Sequence, residues 1–305
     1  MKVPRHLIPA PLLPVLRFIK RNILVMWHYI VLWLNSFIPI KHVNLGGGLF
    51  LAVGWKNLEK VDSVVNPNPF SFSPNCIFPF SDNSIETVYS SHALEHMDQP
   101  TVDRALWESY RVLKPGGHLI LKLPDFDQVL ECWKKGDAEF FNDDLAEFSQ
   151  LCQTWKNRRV SDTLDSRAAF IFCGFWNDAW GDHFKKIWSG ETPGVITIPE
   201  KNKDKLFFGP PAVSEDTYRK LKKTCSPKEI SKELCQIVMD TETDYHFNHQ
   251  NAWARHELKD LVTGFGFIVL SQNSEVILNS FKSIPTIRDI SPISMYLLAK
   301  KPNVN

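Results

Sequence analysis

Residues 78–125 set the tightest limit on what this chain can fold into. The stretch opens with Phe78-Pro79-Phe80-Ser81-Asp82-Asn83-Ser84. It continues through Val88-Tyr89-Ser90-Ser91-His92-Ala93-Leu94-Glu95-His96 and closes on Arg111-Val112-Leu113-Lys114-Pro115-Gly116-Gly117. Ile85 to Tyr89 is a short β-rich run, which predicts a buried parallel strand. Val102, Leu106, Tyr110 and Leu113 recur at helical spacing, predicting a helix over Pro100 to Leu113. Pro115-Gly116-Gly117 stops that helix, and Leu119 to Leu123 resumes as a strand. Strand, polar elbow, helix, glycine stop and strand, in that order, make half of an α/β sheet of the nucleotide-binding type.

The remaining elements group around this half. A first strand is predicted at His42 to Leu45, followed by a glycine turn, Asn44-Leu45-Gly46-Gly47-Gly48. The next strand, around Lys56 to Val61, comes so soon that the usual intervening helix is short or missing. Prolines and asparagines between Val64 and Pro74 predict an irregular connection. Asn251 to Phe265 reads as a helix, and Phe267 to Leu270 and Ser294 to Ala299 as strands. Residues 128 to about 245 are far more than a strand–helix connection needs, so they are read as an insertion with helical pieces such as Pro227 to Val238. The charge runs Lys201 to Lys205 and Arg219 to Lys223 are read as solvated faces.

With 305 residues the chain can bury a sizeable core, and a net charge of +1 favours neither nucleic acid nor an acidic partner. The six cysteines have no CxxC or zinc-finger spacing, which suits reduced thiols in a cytosolic protein. Ile23 to Ile40 is nearly all apolar and follows Arg17, Lys20 and Arg21. His28, Asn35, Ser36 and Pro39 interrupt it, so residues 1–41 are read as a helical segment packed ahead of the first strand. A helix lying in a membrane interface is the second reading. No A-x-A-type site follows, which argues against a cleaved signal peptide.

Together the glycine turn and residues 78–125 resemble the class I S-adenosylmethionine-dependent methyltransferases, in particular the type 11 branch. The resemblance covers about residues 42–125 and 245–300. It implies a Rossmann-like, seven-stranded α/β sheet with helices on both faces and an antiparallel last hairpin. Here that sheet would occupy 42–305 and carry the long helical insertion. It also implies S-adenosyl-L-methionine as cofactor, with Asn44, Gly46, Gly47 and Gly48 against its methionine part. Glycine lets backbone approach a ligand closely and tolerates positive φ. Gly54-Trp55-Lys56-Asn57-Leu58-Glu59 matches the branch's next turn, which assigns Glu59 to the ribose hydroxyls; Asp62 competes for that role. Asn75 stands where the branch carries an acid near the adenine, and Ser90 and Ser91 would face the methionine end. Asn44 departs from the acid that often precedes the family's glycines.

Methyl transfer to oxygen or nitrogen can call for a base, and histidine titrates in the right range. His92, His183 and His246 are the candidates, with His249 and Trp253 nearby in sequence. No metal is expected. The implied reaction is methyl transfer to an O or N acceptor in a small metabolite, glycan or lipid precursor. The alternative is a methyltransferase-fold interaction module without catalysis. His92-Ala93-Leu94-Glu95-His96 also fits the H-x-x-E-H pattern of zinc peptidases, a remote alternative. Without the family, Ser91 reads as a helix cap and Glu95 as a buried acid anchoring a loop.

Overall fold

The computed structural model describes residues 26–27, 29–47, 51–60, 68–141, 163–174, 213–241, 248–281 and 293–303. Six strands form one sheet: β1 (His42–Leu45), β2 (Trp55–Leu58), β3 (Ile85–Ser91), β4 (Leu113–Pro124), β5 (Ile268–Ser271) and β6 (Ser294–Lys300). Their order is β2-β1-β3-β4-β6-β5. β1 to β4 are parallel, while β6 runs antiparallel to both β4 and β5. The antiparallel edge pair is the one expected.

Helices α1 (Gln99–Val112), α6 (Arg255–Gly264) and α7 (Ser274–Ser280) cover the sheet, and α2 (Phe126–Lys135), α3 (Leu164–Cys173), α4 (Glu215–Thr224) and α5 (Pro227–Thr241) belong to the long connection. α1 starts where Asp98 accepts a hydrogen bond from Thr101 N at 2.9 Å, with Pro100 in its first turn. β4 begins directly at Leu113 and runs through Pro115-Gly116-Gly117, so the strand is longer than its apolar core suggested.

Strand side chains alternate between two buried faces. Val88, Leu119, Leu121 and Leu297 pack against Val102, Leu106, Leu258 and Val262 of α1 and α6. Tyr89, Ile120, Tyr296 and Leu298 pack on the other face with Trp55 and Ile277 of α7. Period-two alternation with both faces covered is what places helices on both sides of the sheet.

Six strands rather than seven are found among the described residues. The segment before β3 makes one backbone bond at the end of β2, Phe70 N donating to Glu59 O at 2.8 Å, and from Cys76 to Phe80 it is tied to α1. Glu108, fully buried, accepts from Phe78 N at 2.7 Å. Arg104 Nε donates to Cys76 O, and Arg111 donates to Phe78 O and Phe80 O. Pro69, Pro74 and Pro79 cannot donate to a ladder. Side chains of α1 thus satisfy the backbone groups that a strand would pair.

The insertion's helices build their own core. Phe126, Val129 and Trp133 of α2 pack with Phe170 and Phe172 of α3, Tyr218 of α4 and Ile230 of α5. Lys222, expected on a solvated face, ion-pairs with Asp165 at 2.8 Å and lies over Trp133. Cys76, Cys132, Cys173, Cys225 and Cys235 are free thiols. Near the start, residues 29–35 are helical. Val31 is buried there, and Asn35 clasps the turn before β2 through Ala52 O, Trp55 O and Gly54 N. Trp33 of that helix and Phe37 in the turn after it face outward, 63% and 71% exposed. No helix among the described residues is long and apolar enough to cross a membrane.

Candidate functional site

β1 pairs in parallel with β2 on one side and β3 on the other, so the strand order reverses at β1. Open α/β sheets hold ligands at such switch points. Gly46 stands there with φ +67, its N–H donating to Leu58 O at 2.9 Å. A Cβ on Gly46 would lie 2.4 Å from the Ala93 Cβ, so only glycine fits. A Cβ on Gly47 would lie 2.4 Å from Asn57 Oδ1 and 2.8 Å from Asn44 Nδ2. Asn44 and Asn57 are register partners on β1 and β2 and are both buried. Asn44 therefore sits under the glycine turn. Leu45 and Leu58 are also register partners, which sets Glu59, half-buried, across from Gly46 at the same sheet end.

The second wall is the elbow after β3. Ser90 is buried, and its hydroxyl donates to Leu45 O at 3.4 Å, tying β3 to β1. Ser91, half-buried, ends the strand. It caps no helix: the next element is a single 3-10 turn, Leu94–His96, whose N-cap is Ala93 without a side-chain bond. His92 takes φ +50, a left-handed conformation that non-glycine residues adopt at a cost and that clusters at functional sites. Its N–H bonds to Lys122 O at 2.9 Å, which helps hold the bend. The ring is fixed from both sides. Nε2 is 2.9 Å from Ser294 Oγ, and Nδ1 is 3.2 Å from Glu95 Oε1.

Glu95 is fully buried. Burial alone would raise its carboxyl, but His92, His96 and His249 around it push it down to about 2. His249 is itself buried. That burial, reinforced by His96, pushes its imidazole down to about 3, so the ring is neutral at physiological pH. Backbone bonds bring these histidines together: Gln250 N and Asn251 N donate to Glu95 O at 2.7 and 3.1 Å. His92 and His96 do not share a helical face, because His92 lies before the 3-10 turn; the peptidase pattern in sequence is not the peptidase arrangement in space. At the end of β4, fully buried Asp125 caps α2 through Gln128 N and pairs with Arg255 of α6, whose Nε donates at 3.0 Å.

Of the residues singled out in sequence, Asn44, Gly46, Gly47, Glu59, Ser90, Ser91 and His92 gather at the carboxyl ends of β1, β2 and β3. Asn75 is exposed in a turn closed by Cys76 N donating to Ser73 O. Gly48, Asp62, His183 and His246 lie outside the described residues. Ser294 and Asp125 escaped the sequence reading. Asp125 had one local signal, an acid directly after an apolar strand; Ser294 had none, since its partner is 202 positions away.

Residues 59–121 match the model of the methyltransferase domain family. Over 61 residues the chain is 38% identical to the ubiquinone/menaquinone biosynthesis C-methyltransferase UbiE of Brucella canis, and equally to that of Brucella suis; the match covers 18% of this chain and 22% of each relative. The chain thus aligns with about a fifth of the length of these curated relatives. Among solved structures, an S-adenosylmethionine-dependent methyltransferase from Mesorhizobium loti overlaps 88% of this chain and 95% of its own, at 11% identity and a TM-score of 0.35. PKMT2 from Rickettsia typhi, solved with AdoHcy, overlaps 87% and 49%, at 10% identity and a TM-score of 0.37. The sheet order and the family match, rather than these scores, carry the assignment: the chain has the class I methyltransferase fold.

Proposed function

We propose that this chain, whose residues 59–121 carry the methyltransferase domain signature, is an S-adenosylmethionine-dependent methyltransferase acting on an O or N acceptor of a small metabolite, glycan or lipid precursor. One observation carries the proposal. A side-chain-free bend at Gly46 and a carboxylate at Glu59 meet at the switch point of a class I sheet. The residues present suit the cofactor: Glu59 can accept both ribose hydroxyls, and the Gly46–Gly47 backbone can lie against the methionine part. When bound, the cofactor supplies a methyl group on a sulfonium leaving group, so the protein's task is mainly orientation.

His92 is the base in this reading. Glu95 faces Nδ1 and fixes the ring, while Nε2, beside Ser294 Oγ, takes the acceptor's proton. The Brucella relatives are named as C-methyltransferases. A carbon acceptor would ask the same of His92. The exposed aromatic face at Trp27, Tyr29, Trp33 and Phe37, preceded in sequence by Arg17, Lys20 and Arg21, supports contact with an anionic membrane surface by a peripheral, cytoplasmic enzyme. Flotation with anionic and neutral vesicles tests it: binding to neither, or equal binding after Trp33→Ser, removes the membrane contact.

The test of activity is equilibrium binding of S-adenosylmethionine to the wild type and to Glu59→Ala. Loss of hydrogen bonds to a charged acceptor predicts about 10- to 150-fold weaker binding in the variant. Absence of saturable binding in the folded wild type favours the interaction module, the reading that Asn44 motivates.

A further inference from the structure

We infer that Glu95, His96 and His249 form a binding site for a divalent transition-metal ion. One ligand atom from each residue lies within 4.8 Å of the others. Two imidazoles and a carboxylate suit zinc, iron or cobalt, whereas magnesium prefers an all-oxygen shell. Three protein ligands leave a position open for water or a small ligand.

Two further features point to an ion. The Glu95 carboxylate is fully buried, and its Oε2 has no hydrogen-bond partner among the described residues. His92 faces Oε1, and a cation at the unpartnered Oε2 would offset the rest of the carboxylate's desolvation. In addition, His249 Nδ1 faces Phe172 O at 3.3 Å, and Ser231 Oγ donates to the same carbonyl at 2.9 Å. An Nδ1–H donated to a backbone carbonyl leaves the Nε2 lone pair available, which is the usual outer-shell support of a metal-bound histidine.

Hydrogen bonds outside the three ligand atoms hold the scaffold. His249 N donates to Cys173 O at 2.7 Å, Asn251 Nδ2 donates to Met97 O at 2.6 Å, and Gln250 Nε2 donates to His96 O at 3.2 Å. These bonds clamp residues 249–251 onto the 3-10 turn. The inference rests on these side chains and not on methyl transfer. Joined to the methyl-transfer reading, it puts the ion beside His92, where it would hold an acceptor oxygen.

The test uses the full chain, stripped with a chelator and titrated with cobalt chloride. We expect one cobalt per chain, visible d–d bands and paramagnetically shifted ring protons of His96 and His249. His96→Gln should bind about tenfold more weakly or worse, and His118→Gln, at the far end of β4, should bind as wild type. Magnesium chloride should not compete. Absence of saturable binding by the folded wild type at millimolar cobalt overturns the site, as does wild-type affinity in His96→Gln. If that variant fails to fold, the wild-type spectrum decides: unshifted ring protons of His96 and His249 overturn the site. Because no S-adenosylmethionine is present, the outcome is separate from that of the cofactor-binding test.

Discussion

His92 Nε2 stands 2.9 Å from Ser294 Oγ, joining the elbow after β3 to the first residue of β6. The contact matters because His92 already holds a left-handed backbone and faces Glu95 with its other nitrogen. A base needs a fixed ring, and here three separate elements fix one. His92→Ala is expected to slow methyl transfer by about 10²- to 10⁴-fold, while S-adenosylmethionine affinity stays within a few-fold of wild type. Ser294→Ala should alter the pH profile of the rate more than its maximum. Release of S-adenosylhomocysteine measures both. Unchanged turnover in His92→Ala would remove it as the base.

Gly46→Ala should damage both fold and cofactor binding. The new Cβ would fall 2.4 Å from Ala93 Cβ, on a residue at φ +67. Overpacking and backbone strain predict a loss of about 2–4 kcal/mol in urea unfolding. Ala93→Gly should recover the overpacking part and leave about 1 kcal/mol of backbone strain. A cycle of the two substitutions that shows no coupling would contradict this packing.

Glu108→Ala should be among the most destabilising changes in the sheet domain. The carboxylate is fully buried, accepts from Phe78 N, and pairs with Arg111 at 2.6 Å and Arg104 at 3.2 Å. Removing one partner of a buried ionic cluster costs about 3–5 kcal/mol. Asp82 pairs with the same Arg111, but its side chain is mostly exposed, so Asp82→Asn should cost about 1 kcal/mol or less. Urea midpoints separate the two; similar losses would show that the cluster is not cooperative.

Stability should fall as the solution is acidified below neutrality. His42 and His118 are both held below the ordinary imidazole value, chiefly by burial; Glu86 opposes this at His42, and Lys300 adds to it at His118. A depressed folded-state pKa means that the unfolded chain binds protons first. The contribution is present above about pH 6.5 and is lost as pH drops through the folded-state values. Urea midpoints at about pH 7.5 and about pH 5.5 measure the slope, and His118→Gln should reduce it. An unchanged slope in that variant would remove His118 as a contributor.

Local signals in the sequence carried the element order well. β3 was expected at Ile85 to Tyr89 and runs Ile85–Ser91; α1 was expected at Pro100 to Leu113 and runs Gln99–Val112. Both rest on short-range chemistry: β-branched residues, helical spacing and a capping Asp98. The expected strand after Pro115-Gly116-Gly117 starts earlier because Leu113 already pairs with Ile85. The Ser91 cap failed for a related reason, since His92 turns left-handed and interrupts the helix that Ser91 would have started.

What the sequence determined by itself is the α/β pattern and the glycine turn after the first strand, because each depends on neighbours a few residues away. The tertiary structure alone decided that the described residues hold six strands rather than seven, the Ser294–His92–Glu95 line and the meeting of Glu95 with His249. Those contacts join side chains far apart in the chain, through sheet order and loop docking that no local propensity encodes. Enclosure then set the titration of these groups: burial pushes the His249 imidazole down, while at Glu95 burial alone would raise the carboxyl and the His92, His96 and His249 rings gathered around it push it down instead.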